Sequence, residues 1–276
     1  MRLVKQLVVV ALVALGGSLV VNAVPGNALL VLVFGLATAV LSVPAYRWVV
    51  RRTEHRAPVE LAREGAPAAL GRGALIGVGL FGAVIANIAF LGGYQVLGWG
   101  SVAGAAAAFG FSAAAAVTEE LLFRGVLFRI VEERIGTWSA LTLTSVLFGA
   151  SHLFNAHATL WGAIAIALEA GGMLAAAYAA TRNLWVPIGL HFAWNFAEGG
   201  IFGTDVSGQS GAGGLLHGAL SGPAPLTGGE FGPEASLYAL AAGVVATIVF
   251  LWLARRRGHL VPRRRRPTAP AATLVP

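Results

Sequence analysis

Long apolar runs, broken by short polar clusters, dominate this sequence from end to end. A helix of roughly 20 apolar residues crosses a bilayer, and runs of that kind fall near residues 6–24, 28–48, 73–97, 101–128, 138–156, 158–180, 184–202 and 236–254. The pattern predicts an all-α, polytopic membrane protein of about eight transmembrane helices. No polar stretch is long enough to bury a core of its own, and no repeat of fixed period is visible. One membrane domain therefore accounts for the chain. Its parts are two N-terminal helices with a basic loop (1–72), a helical core (73–202), a Gly-, Ser- and Pro-rich loop read as flexible (203–235), a last helix (236–254) and a basic tail (255–276). The first run also fits a signal peptide, since Arg2 and Lys5 precede an apolar core that ends at Val21 and Ala23.

Composition agrees. Of 276 residues 57% are hydrophobic and only 11% charged, with mean hydropathy +0.76, against roughly 25% charged in soluble domains. Cysteine is absent, which excludes disulfides, thiolate metal sites and a cysteine nucleophile. Any catalyst must use carboxylate, imidazole or hydroxyl. The net charge of +7 does not point to nucleic acid, because the arginines sit in short runs beside apolar stretches with no interleaved aromatic residues.

Topology explains the charge better. Arg2 and Lys5, Arg47 to Arg72, Arg124, Arg129, Arg134, Arg182, and Arg255 to Arg257 with Arg263 to Arg266 can all be assigned to one side of the membrane. The positive-inside rule then places both termini in the cytoplasm, which requires an even number of spans and suits a plasma-membrane protein. The 203–235 segment has no Lys or Arg but carries Asp205, Glu230 and Glu234, as an outside segment should.

The polar residues inside the spans are the candidates for chemistry. Glu119 and Glu120 interrupt an apolar run, at a cost of about 2.5–3.5 kcal/mol for each ionised side chain. Arg124 follows Glu120 by one helical turn, so those two suit an ion pair. Glu119 is rotated about 100° away, has no local counter-charge, and is a candidate general base. His152 lies in the fifth run, one turn after Phe148, with Gly149 permitting close helix approach. His191 and Asn195 share a face of the seventh run and suit either an oxyanion site or helix-to-helix hydrogen bonding. Glu169 and Glu198 read as packing residues, with Glu198 near water.

The motifs E-E-x-x-F-R-G (Glu119 to Gly125), F-G-x-x-H (Phe148, Gly149, His152) and H-x-x-x-N (His191, Asn195) resemble the CPBP family of CAAX-type endopeptidases and bacteriocin-processing or immunity proteins. The resemblance covers roughly residues 100–200. It implies a glutamate-dependent intramembrane endopeptidase without a cofactor, acting on a membrane-anchored or hydrophobic peptide. By that resemblance Glu119 and His152 activate water, His191 and Asn195 bind the oxyanion, and Glu120, Arg124 and Phe148 support the site. A rise of about 1.5 Å per residue puts Glu119 roughly 15 Å, His152 roughly 21 Å and His191 roughly 9 Å from the basic face, so the site is expected to open toward the cytoplasm. Two alternatives stay open: a zinc protease with Glu119, His152 and His191 as ligands, despite the lack of H-E-x-x-H, and a non-enzymatic immunity, scaffold or transport protein.

Overall fold

The computed structural model describes residues 1–211 and 213–263. Residues 264–276 of the expected tail lie outside the described residues. Long helices build the molecule: α1 (Arg2–Asn22), α2 (Ala28–Glu54), α3 (Ala66–Phe90), α4 (Val102–Ile135), α5 (Thr137–Ser151), α6 (Leu160–Thr181), α7 (Trp185–Asn195) with its continuation Phe196–Ile201, and α8 (Leu237–Arg256). Six of them, α1 to α4, α6 and α8, are long and apolar enough to cross a membrane. Helix α5 has 15 residues and α7 has 11, extended by 6; both are shorter than the others. Leu12, Leu15 and Leu19 on α1, and Val245 and Ile248 on α8, are exposed, as lipid-facing side chains of a multi-pass protein are. Side-chain oxygens cap four helix starts, at Asn27, Ser101, Thr159 and Ser236, where backbone amides would otherwise lack partners.

The all-α expectation needs one correction. The third run does not continue as helix to residue 97: α3 stops at Phe90, Gly92 turns the chain at φ 77°, and Tyr94–Trp99 forms strand β1. It pairs antiparallel with β2 (Leu216–Leu220), Tyr94 opposite Leu220 and Trp99 opposite Leu216. Segment 203–235 thus contributes a strand. It also packs Phe231, Glu234 and Ser207 into the interior.

The helix ends rich in arginine converge. Glu54, at the end of α2, accepts from Arg129 (2.8 and 3.0 Å), Gln6 (2.8 Å) and Arg56 (2.6 Å), while Arg182 pairs with Glu132 and Arg2 with Glu133. Tyr46 donates to Glu60 at 2.6 Å, and Arg56 donates to the same carboxylate. Burial acts to raise the Glu60 carboxyl, but the hydrogen bonds from Arg56 and Tyr46 outweigh it and hold Glu60 below the usual carboxylate range. We refer to this as the basic end.

Three helices contain π-helical stretches: Leu121–Phe128 in α4, Ala167–Gly171 in α6 and Phe196–Ile201 after α7. A π turn breaks the regular i to i−4 ladder and releases carbonyls. Those carbonyls are used. Gly125 O accepts from Tyr46 (2.9 Å) and Arg129 (2.8 Å), and Ala170 O and Gly171 O accept from Arg124 (3.1 and 3.2 Å). In the third stretch Gly200 O accepts from the Leu215 amide at 2.8 Å and Glu198 O from the Thr204 amide at 3.1 Å.

Candidate active site

Arg124 is the anchor of the interior. Only 2% exposed, it extends from the π stretch of α4, donates Nη1 to Glu120 Oε1 at 2.8 Å, reaches the α6 carbonyls through Nη2, and lies 4.5 Å over the Phe148 ring. The pairing expected from the one-turn spacing is present. Glu120 does more than neutralise it. Its Oε1 also accepts from His191 Nδ1 at 2.9 Å, a contact between residues 71 positions apart that no local spacing could announce.

That bond sets the imidazole. A carboxylate only accepts, so Nδ1 carries the hydrogen and Nε2 faces the other way. There it meets Glu119, whose Oε2 is 4.0 Å from His191 Nε2. The separation is too long for a direct hydrogen bond and suits one bridging water. Glu119 has the more open side chain of the acidic pair, 32% exposed against 0% for Glu120.

His152 closes α5 and is partly exposed. Its Nδ1 contacts the Phe148 carbonyl at 2.8 Å. A carbonyl cannot donate, so Nδ1 holds the hydrogen and Nε2 is the lone-pair nitrogen. Phe148 stands between the two histidines, 4.9 Å from the His152 ring and 6.1 Å from that of His191, with Phe123 at 5.0 Å. The close approach expected at Gly149 is present too: a Cβ there would stand 2.2 Å from Ala163 O, so only glycine lets α5 pack on α6.

His152, His191, Asn195 and Phe148 line one cavity of about 10 Å³, room for about one water molecule. Glu119 does not line it. Glu169, Glu234 and Ser207 do, and these are the residues that sequence reasoning missed. Glu169 and Glu198 are both fully enclosed, at 1% and 0% exposure, and neither carboxyl has a hydrogen-bond partner among the described residues. Glu198, expected near water, is instead covered by the 203–235 segment, where a Cβ on Gly232 would stand 3.3 Å from its Oε1. Glu234 accepts from Ser207. Placing α7 before a Gly-rich segment gave no signal of this enclosure; the acidic residues in an apolar context were the only hint.

The opening also differs from expectation. A second cavity, of about 290 Å³, reaches Asn195 from Val21, Asn22 and Pro25 at the end of α1 and from residues 206–211. Those elements lie at the end opposite the basic one, because the chain enters α1 at Arg2 and leaves it at Asn22. The cavities that touch the site thus lie toward 203–235, not toward the arginines. The zinc alternative finds no matching geometry: among the described residues no three His, Asp or Glu side chains are grouped to hold a metal ion.

Fold and site together define a multi-pass helical membrane protein with carboxylates, two imidazoles and an amide gathered inside its helices. Residues 99–197 match the family described as type II CAAX prenyl endopeptidase Rce1-like. That segment carries all three motifs, and the match is to the family that the motifs resemble. Bacillus subtilis (strain 168) has a protein, YdiL, named as a candidate membrane peptidase, that is 33% identical over 79 residues, 29% of this chain. The matched stretch spans 30% of that relative's length. No solved structure matches the chain.

Proposed function

We propose that the chain is an intramembrane endopeptidase that cleaves a membrane-anchored or hydrophobic peptide with glutamate-activated water. Glu119 and His152 take the proton of the attacking water. The oxyanion formed at the scissile carbonyl is met by His191 Nε2 and the Asn195 amide, and the proton returns to the leaving amine. For His191 to donate at Nε2 as well as Nδ1, its ring carries a second proton, and Glu120 supplies the matching charge. Arg124 holds Glu120, and Phe148 holds both rings. The observation that carries this reading is the Glu120 to His191 hydrogen bond at 2.9 Å, which turns Nε2 toward Glu119.

The reaction is proposed to need no metal. Eight spans with the basic end in the cytoplasm are the topology that fits the arginine distribution. A CAAX-type or a bacteriocin-like peptide are both admitted as substrates. The cavity lining favours one variant of the same reaction, in which the base is Glu169, which lines the enclosed water site where Glu119 does not. Purified Glu119→Gln and Glu169→Gln proteins, assayed on a membrane-anchored peptide, separate the two. Loss of cleavage in the first alone supports Glu119; loss in the second alone moves the base to Glu169; retention in both sinks the glutamate mechanism.

A further inference from the structure

The 290 Å³ cavity meets the proposed reaction only at Asn195, and it approaches the volumes of ligand pockets, roughly 300 to 1,000 Å³. Its walls are chemically divided. Val21, Val31, Ala107, Ala108 and Phe111 supply an apolar side, and Asn22, Ser112, Gln209 and Ser210 supply hydrogen-bonding groups. Among the described residues no Lys, Arg, Asp or Glu lines it. Such a surface suits an extended, uncharged peptide whose side chains are apolar and whose backbone needs partners.

The wall between this cleft and the water-sized cavity is a tight turn. Ser207 (φ 51°) and Gly208 (φ 74°) are both left-handed, and Val206 and Gln209 pair across them. Ser207 faces the water-sized cavity, while Val206 and Gln209 face the cleft. The turn is fixed from several sides. Asn155 donates to Ser207 O at 2.7 Å, the Gly208 amide to Phe231 O at 2.7 Å, the His157 amide to Gly208 O at 2.9 Å, and Ser207 Oγ to Glu234. It is a partition rather than a lid. Asn195, which lines both spaces, is where a chain lying in the cleft would bring a carbonyl to the site.

The geometry points to the cleft as the substrate-binding site, taking an extended apolar peptide segment that enters from the end of the bundle formed by 203–235. This rests on the protease reading for the identity of the ligand, but not for its accessibility. The chain has no cysteine, so single cysteines can be introduced without background. Ala108→Cys reports on the cleft, His217→Cys on the 203–235 end and Arg263→Cys on the basic end. Each full-length protein, in the Glu119→Gln background and in oriented vesicles, is treated with a membrane-impermeant maleimide.

The expected result is labelling of Ala108→Cys from the same side as His217→Cys, slowed about tenfold by a membrane-anchored apolar peptide at about ten times its Kd. In the otherwise unaltered enzyme, Ala108→Trp should raise KM with kcat unchanged. Labelling only from the Arg263→Cys side, or full labelling in the presence of a peptide that the unaltered enzyme cleaves, overturns the proposal. If the unaltered protein cleaves no peptide, the protease reading fails separately; protection of Ala108→Cys would then still support the cleft as a peptide-binding site, and lack of protection would overturn it.

Discussion

Neighbouring carboxylates offer a direct test of the division of labour, because the structure gives them opposite relations to their surroundings. Glu120 is 0% exposed and its Oε1 accepts from Arg124 at 2.8 Å and from His191 at 2.9 Å. Replacing it with Gln removes the charge opposite an Arg124 that is itself 2% exposed. Removing one member of a buried ion pair costs about 3 to 5 kcal/mol, consistent with two charge-assisted hydrogen bonds of about 1.5 to 3 kcal/mol each. Glu119 is 32% exposed on its side chain, its Oε2 has no hydrogen-bond partner among the described residues, and His191 Nε2 stands 4.0 Å from it. Glu119→Gln breaks no hydrogen bond of this kind and should therefore cost clearly less stability than Glu120→Gln. Its effect should fall on the reaction, since loss of a positioned general base costs about 10² to 10⁴ in rate. Thermal unfolding in detergent, followed through intrinsic tryptophan fluorescence, together with cleavage of an anchored peptide, separates the two quantities. Equal destabilisation by the two substitutions, or cleavage at the unaltered rate by Glu119→Gln, would refute the assignment.

Phe148→Ala should lower stability by about 3 to 5 kcal/mol and also slow turnover, because the ring spaces both histidines; Phe148→Leu should recover part of the stability but not the rate, as read by melting and single-turnover kinetics. Glu60 carries the pH dependence of the basic end. Its folded-state carboxyl is held low by Arg56 and Tyr46, so its stabilising effect is present above the unfolded value of about 4.3 and is lost as pH falls through the folded value. Unfolding midpoints measured across that acidic range should fall less steeply in Glu60→Gln; an unchanged slope would remove Glu60 from the account. Cleavage should survive chelator treatment and metal-free preparation, and activity that is abolished by a chelator and restored by zinc would overturn the metal-free mechanism.

Much of the fold is legible in the apolar runs, and the exceptions have identifiable causes. Tyr94 to Leu97 is as apolar as a helix end, so hydropathy carries α3 too far; Gly92 and Gly93 were the stop signal. Segment 203–235 reads as loose because Gly, Ser and Pro lack helical pattern, yet its order comes from distant partners such as Asn155 and Glu198. The Glu120 to Arg124 pair is visible because both lie on one helix face. The Glu120 to His191 bond joins separate helices and is not. Glu169 and Glu234 escaped for the same reason: their neighbourhood is assembled from α6, α7 and the outer segment, and only the folded chain shows that a cavity lies between them.

The π stretches make the number of residues in these helices as restrictive as their identity. Deleting one residue from Leu121–Phe128 would let α4 relax to a regular helix, an apparent local improvement, but would close the i to i−4 ladder over the carbonyls that the π turn releases. Arg124 would leave the α6 carbonyls, and Gly125 O would leave Tyr46 and Arg129. A shorter, straighter chain would thus be a poorer protein. Variation in length should be excluded from this part of the sequence even where substitutions of similar size are tolerated.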